Sequence, residues 1–122
     1  MKVLLSIKPE FAELIFDGSK KYEFRKAIFK NPDVRTVVVY ASSPVQRVIG
    51  EFQIETILRD APKSLWKETR DHSGISEEFF FDYFSGHKVA FAIKVKKTRR
   101  YKKPRCLISC YNVTPPQSFC YI

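Results

Sequence analysis

Five successive β-branched or aromatic residues, Thr36-Val37-Val38-Val39-Tyr40, constrain the fold of this chain more than any other stretch. Branching at Cβ crowds a helix and suits a pleated surface. The run therefore predicts a strand over Arg35–Tyr40, which Ala41-Ser42-Ser43-Pro44 then breaks. A lone strand is not stable, and four other segments offer partners. Val3–Ser6 is a short apolar run suited to a buried strand. Lys20–Arg25 alternates, with Lys20, Tyr22 and Phe24 on one side and Lys21, Glu23 and Arg25 on the other. Val48–Leu58 puts Val48, Phe52, Ile54 and Leu58 on one face and Glu51, Gln53 and Glu55 on the other. Val89–Val95 alternates again, with Phe91, Ile93 and Val95 inward.

Helices fall between these segments in two places only. Pro9 at a first helical position, then Phe11, Leu14 and Ile15, then Gly18 as a stop, predict a helix over Pro9–Asp17. Pro62 opens a second helical stretch holding Leu65, Trp66 and Thr69. Ser76 is an N-cap followed by Glu77 and Glu78, and Phe79, Phe80, Tyr83 and Phe84 form an aromatic stripe that reads as core packing, ending at Gly86. Strands not separated one by one by helices point to an α+β fold. The expected form is a mixed sheet curled into a barrel of about five or six strands with flanking helices. A length of 122 residues suits a single core.

Lys and Arg number 22 against 13 Asp and Glu, a formal charge of +9. That balance favours polyanions such as RNA or DNA and a steep salt dependence of binding. A surface carrying surplus lysine without a partner gives the same number. No apolar run reaches 18 residues, so no membrane-spanning helix and no membrane partner are expected. Cys106, Cys110 and Cys120 are odd in number and crowded at the end. They read as packing residues in a reducing, cytoplasmic setting rather than as a disulfide framework. His72 and His87 lie far from them, so no zinc-ligand spacing exists and neither a metal nor another cofactor is expected.

Two stretches carry candidate chemistry. Residues 94–105, KVKKTRRYKKPR, hold eight basic residues and no acid. Arg99, Arg100, Lys102 and Lys103 suit a phosphate backbone, and Tyr101 offers a stacking face. A solvated edge strand whose lysines block aggregation fits the same residues. Residues 18–26, GSKKYEFRK, isolate Glu23 among cations, with Arg25 at the spacing that puts both on one strand face. A carboxylate flanked by cations can orient a guanidinium or accept from a base amino group. An exposed salt-bridge ladder fits the spacing equally well.

The stretch LLSIKPEFAELIFDGSKKYEFRK resembles the N-terminal signature of ASCH domains, members of the PUA-like superfamily. That signature is a strand ending in Ser and Lys, a helix, then Gly-x-Lys-x-x-Glu-x-Arg, present here as Gly18, Lys20, Glu23 and Arg25. VVVYASSP with VIGEF is similar to the family's second block, and LWKET, SGIS and YFSGHKVAFAI to later ones, over about residues 3–104. The resemblance implies a small β-barrel with a cleft that binds RNA or a nucleoside-like ligand. Lys20, Glu23 and Arg25 would face it, helped by Ser6 and Lys8 before the first helix and by Ser42 and Ser43. This conflicts with strict alternation, which sets Lys20 opposite Glu23; a turn or bulge after Gly18 would reconcile them.

One branch of the superfamily hydrolyses the acetyl group of N4-acetylcytidine. It places a nucleophilic threonine where Glu23 stands, beside a catalytic lysine matching Lys20. A carboxylate can serve as a general base for water but cannot form the same acyl-enzyme ester. The leading expectation is therefore an RNA-binding domain, regulatory in transcription or translation. The alternative is a hydrolase of a modified nucleoside, or a ribonuclease, in which Lys20 and Glu23 would be catalytic. Residues 105–122 stand outside the domain of residues 1–104. From Cys106 to Ile122 no residue is charged, and Leu107, Ile108, Tyr111, Val113, Phe119 and Tyr121 would make a free tail sticky. It is expected to pack on the domain or on a second subunit of a homodimer.

Overall fold

In a computed structural model describing residues 1–122, the β-branched run becomes β3 (Thr36–Ala41), flanked by β1 (Lys2–Ile7) and β4 (Arg47–Asp60). Val37, Val38 and Val39 are each 1% exposed or less, because β3 is covered on both faces. The β1–β3 pair is parallel, so the chain must cross over between them. The crossover carries α1 (Pro9–Phe16) and the short β2 (Tyr22–Arg25). After β4 come α2 (Pro62–Thr69), a short 3-10 turn, α3 (Glu77–Tyr83), β5 (Ala90–Arg105), α4 (Leu107–Tyr111) and β6 (Phe119–Tyr121). The α+β expectation holds: one six-stranded mixed sheet, in the order β2-β5-β4-β3-β1-β6, curls into a half-barrel.

The inner face carries the main core. Val3, Leu5 and Ile7 of β1, Val37, Val39 and Ala41 of β3, and Phe52 and Ile93 from β4 and β5 close on Ala12 and Ile15 of α1. At the β2–β5 end the outer face is covered by α2 and α3. There Leu65, Phe80 and Phe84 meet Phe24, Ala90 and Ala92. Ala90 and Ala92 are as buried as Ile93, so β5 is covered on both sides there; only Phe91, Ile93 and Val95 were expected inward.

Irregular register accounts for the other departures. β4 is displaced against β3 between Val39 and Tyr40, and against β5 between Val48 and Gly50. One extra residue reverses which face follows. Val48 therefore joins the outer cluster and Phe52 the inner one, although alternation put them together. Gly50 sits at this bulge because an added Cβ would lie 2.6 Å from the Arg99 carbonyl and from the Phe16 ring. β5 runs far past Val95, so the basic tract is the last twelve residues of a 16-residue strand and not its frayed end.

The uncharged tail returns to the sheet. β6 pairs antiparallel with β1, and Leu107, Tyr111, Val113, Cys120 and Ile122 cover Leu4, Val38, Tyr40 and Tyr101 on the outer face. Cys120 is half-buried there, whereas Cys106, just before α4, and Cys110, on it, are exposed, contrary to a packing role for all three; all are free thiols. No helix is long and apolar enough to cross a membrane.

Candidate functional site

The curled sheet stops short of closure, and the seam between β2 and the β1–β6 edge is bridged by one side chain. Arg25 on β2 donates from Nη1 to the Ser6 carbonyl at 3.3 Å and to Glu23 Oε2 at 3.0 Å. Its Nη2 donates to the Ser118 carbonyl, just before β6, at 2.6 Å. A guanidinium suits this role because its donors form a rigid planar fork. A cleft of about 210 Å³ opens at this seam.

Lys20 reaches the cleft through a turn. Gly18, at φ +89°, ends α1 in a left-handed conformation, Asp17 accepts from the Ser19 N–H at 2.8 Å, and the Lys20 N–H donates to the Leu14 carbonyl at 3.0 Å. Lys20 therefore precedes β2 rather than belonging to it. Alternation from Lys20 does not apply, and Lys20 and Glu23 line the same cleft.

The Lys20 side chain is 2% exposed, and Nζ donates to the Ser73 carbonyl at 2.6 Å. Its ammonium lies 4.8 Å from the Phe24 ring centre and 5.5 Å from that of Phe11. Gly74 closes over its aliphatic stem. At φ +70°, a Cβ on Gly74 would lie 2.6–2.8 Å from Lys20 carbons, so only glycine fits. Burial pushes the Lys20 pKa down to about 8, against a smaller upward pull from Glu23. A lysine so placed passes between ammonium and amine around pH 8. Glu23 is 6% exposed and bound to Arg25. The pair thus offers a buried carboxylate acceptor beside a lysine able to give or take a proton.

Of the residues expected at the site, Ser6, Lys8, Lys20, Glu23 and Arg25 line this cleft. Ser42 does not: its N–H and hydroxyl both turn to the Ile7 carbonyl, at 3.0 and 3.5 Å. Ser43 precedes a cis proline in the same turn and is also outside the lining. Arg99, Arg100, Lys102 and Lys103 lie along β5, away from the lining. Arg100 pairs with Glu13 of α1 over the Phe16 ring, and Arg99 lies 5.6 Å from the Tyr101 ring centre.

Tyr101 is not an open stacking face. It is 8% exposed, donates its hydroxyl to Glu51 at 2.8 Å, and carries the Arg105 guanidinium 3.8 Å above its ring. Burial is the largest cause raising its hydroxyl pKa, followed by Glu51.

Sequence reasoning missed the aromatic lining: Phe11 and Phe24, and Phe79 and Tyr83 of α3. The stripe on α3 does two jobs, Phe80 and Phe84 filling the core while Phe79 and Tyr83 face the cleft. The available signal was helical phase, since Phe79 and Tyr83 are four apart and share a face. Tyr83 reaches the Phe24 carbonyl with its hydroxyl at 3.4 Å, and burial raises its pKa. No three His, Cys, Asp or Glu side chains converge anywhere to hold a metal.

Comparison with known proteins matches residues 5–111 to the ASCH domain family model. The chain is 33% identical over 95 residues to an ASCH domain-containing ribonuclease of Zymomonas mobilis, covering 78% of this chain and 64% of that protein. It is 36% identical over 121 residues to a protein of Ureaplasma parvum named ATP synthase subunit alpha, covering 98% of this chain but 15% of that one. The chain thus spans well under two thirds of that longer relative, and slightly less than two thirds of the ribonuclease. The crystal structure of ASCH from Zymomonas mobilis superposes with a TM-score of 0.90 at 31% identity, covering 99% of this chain and 87% of that one.

Proposed function

The chain belongs to the ASCH domain family, and from that premise we propose that it binds single-stranded RNA with one nucleotide seated in the Lys20–Glu23 cleft. The observation that carries this reading is a buried carboxylate and a buried lysine in one small, aromatic-lined cleft. At about 210 Å³ it falls below the roughly 300–1,000 Å³ of sites for drug-sized ligands, a size that suits a single base. Glu23 accepts from an amino or imino N–H on a base edge, and Lys20 donates to a carbonyl or phosphate oxygen. The charge of +9 and the basic stretch of β5 add sequence-independent attraction for the backbone. Arg25 keeps Glu23 and the tail in place, its guanidinium already holding three acceptors.

A second reading, RNA cleavage, is favoured by the lowered pKa of Lys20 and by the relative named a ribonuclease. As an amine, Lys20 would take the proton of a ribose 2′-OH while O2′ attacks the adjacent phosphorus. The P–O5′ bond then breaks, O5′ takes a proton from water, the hydroxide so formed takes back the proton held by Lys20, and a 2′,3′-cyclic phosphate and a 5′-hydroxyl remain.

Both readings are tested by incubating labelled single-stranded RNA with the protein, with chelator and with added divalent metal. Binding is followed by anisotropy and cleavage on gels. Binding that weakens from low to moderate salt and is lost in Glu23→Gln supports the cleft. Cleavage that rises with pH through about 8 and disappears in Lys20→Ala supports catalysis. Salt-independent binding, or binding indifferent to Glu23, contradicts the proposal.

A further inference from the structure

The geometry points to α3 as the base-stacking wall of the cleft, with Phe79 the platform and Lys8 and Lys26 the flanking phosphate contacts. This rests on the cleft reading above and names what recognises the base.

Phe79 is 38% exposed on a helix that buries Phe80 and Phe84 to 0% and 2%. Of the four phenylalanines on α3 and its C-cap, Phe80 and Phe84 are buried and Phe81 is half-buried, so Phe79 alone leaves its ring open, and it does so into the cleft. Its position is fixed from behind: the Phe11 ring meets it at 5.4 Å and 78°, an edge-to-face contact. Lys8 Nζ lies 5.6 Å from the Phe79 ring centre. One turn on, Lys26 Nζ lies 4.6 Å from the ring centre of Tyr83.

Both lysines are exposed and neither has a carboxylate partner. One ledge therefore repeats an aromatic ring and an unpaired ammonium within a single helical turn. Single-stranded RNA presents the complementary alternation, a base π-face and then a phosphate at each nucleotide. The ring takes the base, and the lysines leave it for the phosphates on either side. Tyr101, the aromatic residue within the basic tract, is closed to this role by Arg105 and Glu51.

The test compares Phe79→Leu, Phe79→Trp and Glu23→Gln with the parent protein, on a short single-stranded RNA and on an abasic ribose-phosphate oligomer of equal length. Leucine keeps apolar bulk at an exposed position, and melting curves check that each variant folds. Stacking predicts that Phe79→Leu weakens RNA binding roughly five- to hundredfold and leaves the abasic oligomer unchanged, while Phe79→Trp restores RNA binding. A 2-aminopurine placed in the RNA should be quenched by the parent and by Phe79→Trp but not by Phe79→Leu. If Phe79→Leu binds RNA like the parent while Glu23→Gln fails, the stacking wall is wrong and the cleft reading survives. If neither variant changes RNA binding, both fall together.

Discussion

Lys20→Met isolates what burial does to the central lysine. In the unfolded chain Lys20 titrates near 10.5, and in the fold near 8, with desolvation the leading cause. At about 1.4 kcal/mol per pKa unit, the folded protein disfavours the charged form by about 3 kcal/mol. Below pH 8 the side chain is charged in both states, so folding bears that cost in full. Between pH 8 and 10.5 the unfolded chain holds the proton that the folded chain has released, so stability contributed by this residue rises with pH. Above 10.5 both states are neutral and the cost is gone. Methionine fills a similar volume against Phe11 and Phe24 and does not titrate, but it forfeits the Nζ bond to the Ser73 carbonyl, a loss of about 1–2 kcal/mol. At pH 7 the variant should therefore be more stable than the parent by about 1–2 kcal/mol. That difference should fall by about 2–3 kcal/mol between pH 7 and pH 10, and so change sign. Urea melts of both proteins across this range give the difference directly, and other titrating lysines and tyrosines cancel in it. A difference that stays constant with pH would refute the claim that the fold desolvates Lys20.

Gly74→Ala forces a Cβ against the Lys20 stem at a positive φ; it should cost about 1–3 kcal/mol by chemical denaturation and abolish RNA binding by displacing the ammonium. Replacing Arg99, Arg100, Lys102 and Lys103 with Gln should weaken binding to all RNA sequences about equally and flatten the salt slope measured by anisotropy; sequence-selective loss would show that these residues read bases instead. Tyr101→Phe leaves Glu51 with one donor fewer, so a thermal melt should show a loss of about 1–2 kcal/mol with RNA affinity unchanged; reduced affinity would return Tyr101 to the binding surface.

Local chemistry carried much of the fold into the sequence. Val37–Val39 could hardly be anything but strand, Pro9 and Pro62 do open helices, and Ser76 caps α3 by accepting the Phe79 N–H at 3.1 Å. What depended on distant partners was not legible. β5 persists through its lysines because 14-residue β4 lies beside it to pair with, and charge density conceals such a ladder. The bulges that set Val48 and Phe52 on opposite faces leave no periodic signal. Tyr101 is buried by α4 and the returning tail, which no spacing within KVKKTRRYKKPR could indicate. At the site, the motif residues were found by resemblance, and the turn at Gly18 explains how Lys20 and Glu23 come to line one cleft. Phe79 and Tyr83 were hidden because a core aromatic and a cleft aromatic on one helix differ only in phase.

The central claim is that Lys20 and Glu23 act as one RNA-binding site, and a double-mutant cycle on RNA affinity tests it most directly. The parent, Lys20→Ala, Glu23→Gln and the double variant are titrated against one short single-stranded RNA, with melts as the control for folding. Because the lysine and the carboxylate are buried in the same cleft, removing either disturbs the other, and Glu23→Gln should harm binding about as much as Lys20→Ala. The double variant should then be hardly worse than either single one. Losses that simply add, or affinities that do not change at all, would contradict the account; exposed ion pairs, worth about 0–1 kcal/mol, would behave in that way.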